Sequence, residues 1–216
     1  LVESTAAFEA LATNTTVPDK VVGIPQVYET LQQSRSPAPG PNAVVEPEND
    51  TPLNANLPDL ALMTKGALNV LDNNSDGFFL MVEGGAVDWA NHANQLGRLI
   101  QEQTDFNKAV DTVIAWVEAN SSWDETLLIV TGDHESGGMS IGFAGTKYDS
   151  YHTRLKHQKI SYIAFDEQFA AFRKANPQGK FEDVLPMVKE NFGLAVLSDA
   201  EQAALPKEGD AAGMVL

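Results

Sequence analysis

Five residues in two short stretches of this sequence have the types and spacing to hold divalent cations. The first stretch carries Glu83, Asp88 and His92; the second carries Asp133 and His134. Asp88 and His92 are four apart, so on a helix their side chains share one face and can converge on one ion. Asp133 and His134 are adjacent, and on a loop leaving an element they can turn toward the same cleft. Carboxylate oxygen with imidazole nitrogen suits zinc, whereas oxygen ligation around Glu83 suits magnesium. Taken singly, each residue has an ordinary reading: a helix-capping Asp, a solvated His, an exposed Glu. The coincidence is what points to metal, since two of the four histidines have a carboxylate at ligand spacing, each just after an apolar run.

Gly77 to Val82 and Thr126 to Thr131 are short continuous apolar stretches, the pattern of strands buried on both faces, and they end at Glu83-Gly84-Gly85 and Gly132-Asp133-His134. A long helical pattern runs between them from about His92 to Asn120. Strand, long crossover and strand predict a parallel α/β sheet flanked by helices, with sites at the carboxyl ends of the strands. Upstream, the spacing predicts a helix over 58–71. The segment 1–57 reads as irregular, with an extended Pro-rich linker from Ser34 to Pro58. Beyond Gly145, amphipathic patterns predict helices over 162–175 and 181–192, joined by Asn176-Pro177-Gln178-Gly179, and a short acidic helix over 198–205. The expected organisation is thus an irregular segment (1–57), an α/β core (58–145) and a helical cap or insertion (146–216).

The 216 residues suffice for a sizeable core, and their formal charge of −16 argues against nucleic acid or an anionic membrane as partner. Such acidity is compatible with a phosphate substrate, because a bound cation inverts the local field. With no cysteine there is no thiolate metal site, cysteine nucleophile or disulfide. No apolar run reaches membrane-spanning length. The chain begins at Leu1, which leads to the expectation of a removed export signal or an excised piece.

Phe78-Phe-Leu-Met-Val-Glu-Gly-Gly-Ala-Val-Asp-Trp-Ala-Asn-His92 and Leu128-Ile-Val-Thr-Gly-Asp-His-Glu135 resemble two signature blocks of the alkaline phosphatase family. The intervening Gly97-Arg-Leu-Ile is also similar, and the likeness is close over about Leu57 to Met139. It implies that Asp88 and His92 bind a first zinc, Asp133 and His134 a second, and Glu83 a magnesium. The implied reaction is hydrolysis of phosphate monoesters through a serine nucleophile and a phosphoseryl intermediate. A periplasmic or secreted location and a homodimer are further expectations from the family.

Three pieces of the family pattern are absent: the Asp-Ser-Ala/Gly nucleophile block, an early Asp at the end of a first strand, and a late His-Thr-Gly block. No catalytic nucleophile is therefore assigned. His152-Thr153-Arg154 is a poor substitute for the late block, and His152 and His157 read as surface residues. Gly132 stands where alanine is expected, which loosens the turn, and Trp89 stands where the family varies. A fragment explains these gaps jointly; with two protein ligands per zinc, it should bind zinc weakly and hydrolyse little. A degenerate, non-catalytic metal-binding module is the rival reading. Asp72 to Glu83 also matches the spacing of an EF-hand calcium loop, but the apolar run Phe78 to Val82 and Gly84-Gly85 argue against an outgoing helix there.

Overall fold

The computed structural model describes residues 1–27, 56–136, 157–160 and 162–192. The chain divides into two compact units, Leu1–Ser34 with Leu53–Met139, and Arg35–Pro52 with Ser140–Leu216. The predicted helix over 198–205, His152 and nearly all of the Pro-rich linker lie outside the described residues.

In the first unit, α1 (Thr5–Thr13) and α2 (Leu60–Leu71) pack against each other, and α4 (Leu96–Asn120) packs on α2. Ser4 caps α1, accepting a hydrogen bond from the Ala7 N–H, and Phe8, Leu11 and Ala12 form its buried stripe. This helix lies in a segment expected to be irregular. Asn69 of α2 donates to the carbonyl oxygens of Leu11 and Asn14 at 2.7 and 3.0 Å, satisfying acceptors that the end of α1 would leave open. Asp59 caps α2 through the Leu62 N–H at 2.7 Å, with Pro58 buried just before it. At the far end Asp72 closes α2, and Gly77 takes a φ of 84°, so 72–77 is a helix stop and turn. A helix does begin at Gly85, where Gly84-Gly85 argued against one, but residues 78–84 before it are not helical, so Glu83 lies outside that helix.

The long helix expected from about His92 to Asn120 forms as one element that starts at Leu96, and a short helix not separately expected precedes it. The short α3 (Gly85–His92) is followed by α4, with Asn94 between them at a φ of 52°. Asparagine tolerates this left-handed conformation, and it redirects the chain before α4 begins.

The expectation of a parallel α/β sheet is overturned. Among the described residues there are six helices and no strand, and the one isolated pairing is a parallel bridge between Val2 and Gly23. Residues 78–83 and 126–131 form no ladder, and several of their apolar side chains are open to solvent, with Phe79 88% and Leu127 83% exposed, while Leu80, Val82 and Leu128 are half-buried. The physical reason is that an apolar run specifies a buried strand only where neighbouring strands pair its backbone and layers cover both faces. No such partners stand beside these runs among the described residues. Phe78 finds another contact, edge-on to Trp116 of α4 with ring centroids 5.6 Å apart.

In the second unit, α5 (Tyr162–Ala175) and α6 (Phe181–Phe192) coincide with the predicted amphipathic pair. Phe165, Val184 and Val188 are buried, and Ile160, Phe169, Phe172, Met187 and Phe192 pack against them. Among the described residues no helix is long and apolar enough to cross a membrane.

Candidate metal centre

Asp88 and His92 are presented by α3, and the packing of that helix fixes where they point. Ala86 and Ala90 are its buried residues, and α3 lies against α4. Each step of two residues turns about 200° round a helix, so Asp88 and His92 stand opposite this buried alanine face. The approach is close at the start of α3: a Cβ placed on Gly84 would lie 2.9 Å from Cδ2 of Phe106 in α4. Glycine at 84 thus lets α3 sit down on α4 and sets the height of the pair.

Asp133 and His134 lie on the segment that follows the second apolar run, and here the two blocks meet. Oδ1 of Asp88 is 3.3 Å from Nε2 of His92 and 4.0 Å from Nε2 of His134. Nε2 of His134 is also 3.6 Å from Oδ2 of Asp133, and the two imidazole rings have centroids 6.2 Å apart. Asp88, His92, Asp133 and His134 are therefore neighbours, brought together by α3 and a loop rather than by strand tips. Glu83 is not part of this group: it is exposed, lies against Gly85, and makes no hydrogen bond or ion pair among the described residues. Trp89, on the same helix, is half-exposed, and His157 is exposed in the second unit.

One residue at the centre has no signal in the spacing of the sequence. Ser136 is buried, and its hydroxyl donates to Oδ1 of Asp88 at 2.5 Å, linking residues 48 apart in the chain. Its Oγ is also 3.3 Å from Nδ1 of His134. A serine two places after a histidine, before two glycines, looks like ordinary loop sequence.

The protonation state of His134 follows from its neighbours. Nδ1 lies 2.7 Å from the carbonyl oxygen of Glu135, which can only accept, so Nδ1 carries the hydrogen. In the neutral ring the lone pair is then on Nε2, the nitrogen that faces Asp88 and Asp133. A histidine that ligates a metal through one nitrogen while donating from the other to a carbonyl has this arrangement. The Glu135 carbonyl, and next the Asp133 carboxylate, also raise the His134 pKa above the ordinary imidazole value. The Asp133 carboxylate is held in turn by the His134 backbone N–H, which donates to Oδ1 at 3.0 Å.

Donor chemistry and tautomer fit zinc, but the set is open. Among the described residues no group of three or more His, Asp or Glu side chains is arranged to hold a metal ion. The convergence is of two pairs, Asp88 with His92 and Asp133 with His134, that share a boundary at Asp88.

Comparison with known proteins gives a family match. The family model described as alkaline phosphatase matches residues 41–188. Alkaline phosphatase 3 of Bacillus subtilis is 32% identical over 152 residues, covering 70% of this chain and 32% of that relative. Alkaline phosphatase 4 of the same organism is 41% identical over 90 residues, covering 42% of this chain and 19% of the relative. The alkaline phosphatase of Escherichia coli is 35% identical over 88 residues, covering 41% and 18% respectively. The chain thus spans about a third, or less, of the length of the curated relatives it matches.

Proposed function

The chain belongs to the alkaline phosphatase family, and from that premise we propose that it carries metal-binding residues of a phosphomonoesterase. Asp88 and His92 would hold one zinc and Asp133 and His134 a second. The observation that carries this reading is the Asp88 carboxylate lying within 3.3 and 4.0 Å of the Nε2 atoms of two histidines from separate blocks. The His134 tautomer supports it, because the nitrogen left without a hydrogen is the one turned to the carboxylates. Glu83 enters as a magnesium ligand from the family resemblance alone.

The charge balance favours a phosphate monoester. Asp88 and Asp133 bring one negative charge each and the two imidazoles coordinate as neutral ligands, so they only half neutralise two divalent ions. The excess positive charge matches a phosphate monoester, whose second pKa of about 6 leaves it a dianion near neutrality. Bound cations would polarise the phosphoryl group and lower the pKa of an attacking oxygen. The four side chains would hold and orient that charge, while the nucleophile is not among the residues assigned here. On family grounds the proposal extends to a periplasmic or secreted location and to a homodimer.

Zinc titration by calorimetry of this chain and of its His92→Ala and Asp133→Ala variants tests the site, and p-nitrophenyl phosphate turnover by the full-length parent tests the reaction. Weaker binding in both variants is expected. Unchanged binding in both overturns the site. A parent inert in zinc and magnesium overturns the enzyme reading and leaves a non-catalytic metal-binding module.

A further inference from the structure

We propose that Ser136 is a positioning residue for the zinc ligands, its hydroxyl fixing the Asp88 carboxylate and tying the 132–136 loop to α3. The inference rests on the metal-site reading above and goes beyond it, since the spacing of the sequence gives Ser136 no role.

A carboxylate on a helix has a broad torsion about its last bond, so Asp88 alone would present either oxygen over a wide arc. The Ser136 hydroxyl removes that freedom. It has one hydrogen, directed at Oδ1 of Asp88. Oδ2 is left with no hydrogen bond among the described residues. Since the hydrogen on Oγ is committed to Asp88, Oγ can only accept from Nδ1–H of His134, at 3.3 Å, beside the stronger bond from that N–H to the Glu135 carbonyl at 2.7 Å. One buried hydroxyl therefore contacts a proposed ligand of each zinc, and the contact with His134 is compatible with a ring whose Nδ1 carries the hydrogen.

The burial supports a built contact. Ser136 is 4% exposed, whereas the side chains of His92 and His134 are 59% and 54% exposed. Exposed histidines sample many rotamers, and a buried partner that grips Asp88 supplies the fixed point around which they gather.

The experiment compares zinc affinity by calorimetry in the wild-type chain, Ser136→Ala, Ser136→Thr and Asp88→Asn, with melting temperature recorded for each in the absence of metal. Loss of an outer partner of a metal ligand typically weakens metal binding by about 10–100-fold, and Ser136→Ala should fall in that range. Ser136→Thr keeps the hydroxyl and should restore most of the affinity, an outcome that a purely steric role would not produce. Wild-type affinity in Ser136→Ala, with Asp88→Asn impaired, overturns the positioning role while leaving the metal site standing. Equal weakening in the alanine and threonine variants also overturns it. A wild-type chain that takes up no zinc, or an Asp88→Asn variant that binds as wild type, removes the site itself and the proposal with it.

Discussion

Gly84→Ala tests how the fold sets the position of the site. The added Cβ would lie 2.9 Å from Cδ2, 3.2 Å from Cβ and 3.2 Å from Cγ of Phe106. Ordinary carbon–carbon contacts start near 3.5 Å, so the closest approach falls about 0.6 Å short. Rotation of the Phe106 ring relieves Cδ2 but cannot relieve the contact with Phe106 Cβ, which is fixed to the α4 backbone. Either α3 must lift or α4 must shift, and overpacking of this kind costs about 1–3 kcal/mol. At the middle of that range the folded-to-unfolded ratio drops more than tenfold. The cost should appear in urea unfolding of the chain as a lower midpoint with an unchanged slope. Lifting α3 also moves Asp88 and His92, so zinc affinity should fall. Adding Phe106→Ala should recover part of the loss, because truncation at the ring removes two of the three close contacts. An unchanged midpoint and unchanged zinc affinity in Gly84→Ala would refute the claim that this contact sets the height of α3.

Three further outcomes follow from the same coordinates. Asp105 in α4 is half-buried, and burial first, then the Asp59 carboxylate, raise its pKa above the ordinary aspartate value, against a hydrogen bond from the Leu60 N–H. A raised acid pKa in the folded state means that ionised Asp105 destabilises the fold at neutral pH, and that the cost fades as pH falls through the folded pKa toward the unfolded one. Asp105→Asn should therefore stabilise at pH 7 and lose its advantage in acid, read as melting temperature against pH. Asp59→Ala removes the cap on α2 and should cost about 1 kcal/mol in urea unfolding; this measurement excludes the cap as a contributor if the midpoint stays put. Glu83→Gln should leave zinc affinity of this chain unchanged, since Glu83 makes no hydrogen bond or ion pair among the described residues; a clear loss by calorimetry would place Glu83 in the zinc set.

Local features were legible where the chain decides them by itself. The α2 stripe, the long α4 face and the α5 and α6 pair follow from 3.6-residue periodicity, and each coincides with a helix. The α1 signal was also present, with Ser4 as cap and Phe8, Leu11 and Ala12 at helical spacing, but nine residues beside a Pro-rich stretch read as irregular. Sheet formation was not legible, because a strand is a property of a neighbourhood. Phe79, Met81, Leu127 and Ile129 carry the composition of buried strands while standing exposed. The short α3 was not read as a helix of its own, because eight residues that open on Gly84-Gly85 carry a weak helical signal, and its end is set by one left-handed residue, Asn94.

The pairing of Asp88 with His92 was readable from a four-residue step, but their meeting with His134 depends on tertiary placement. That placement does not need the sheet first expected, because α3 is located by its alanine face and Gly84 on α4, and the 132–136 loop is joined to it through Ser136. The consequence is a site defined more tightly on its Asp88 side than on its Asp133 side. Asp88 is 38% exposed and engaged by a buried hydroxyl, whereas Asp133 is 89% exposed and held by its own neighbour's N–H. Ordering a ligand on binding costs conformational entropy, of which Asp133 has more to lose. In this chain the Asp88 and His92 pair should therefore take zinc first, and His92→Ala should weaken the tighter phase of a titration while Asp133→Ala weakens the looser one. The reverse order would mean that the grip on Asp88 does not organise the site.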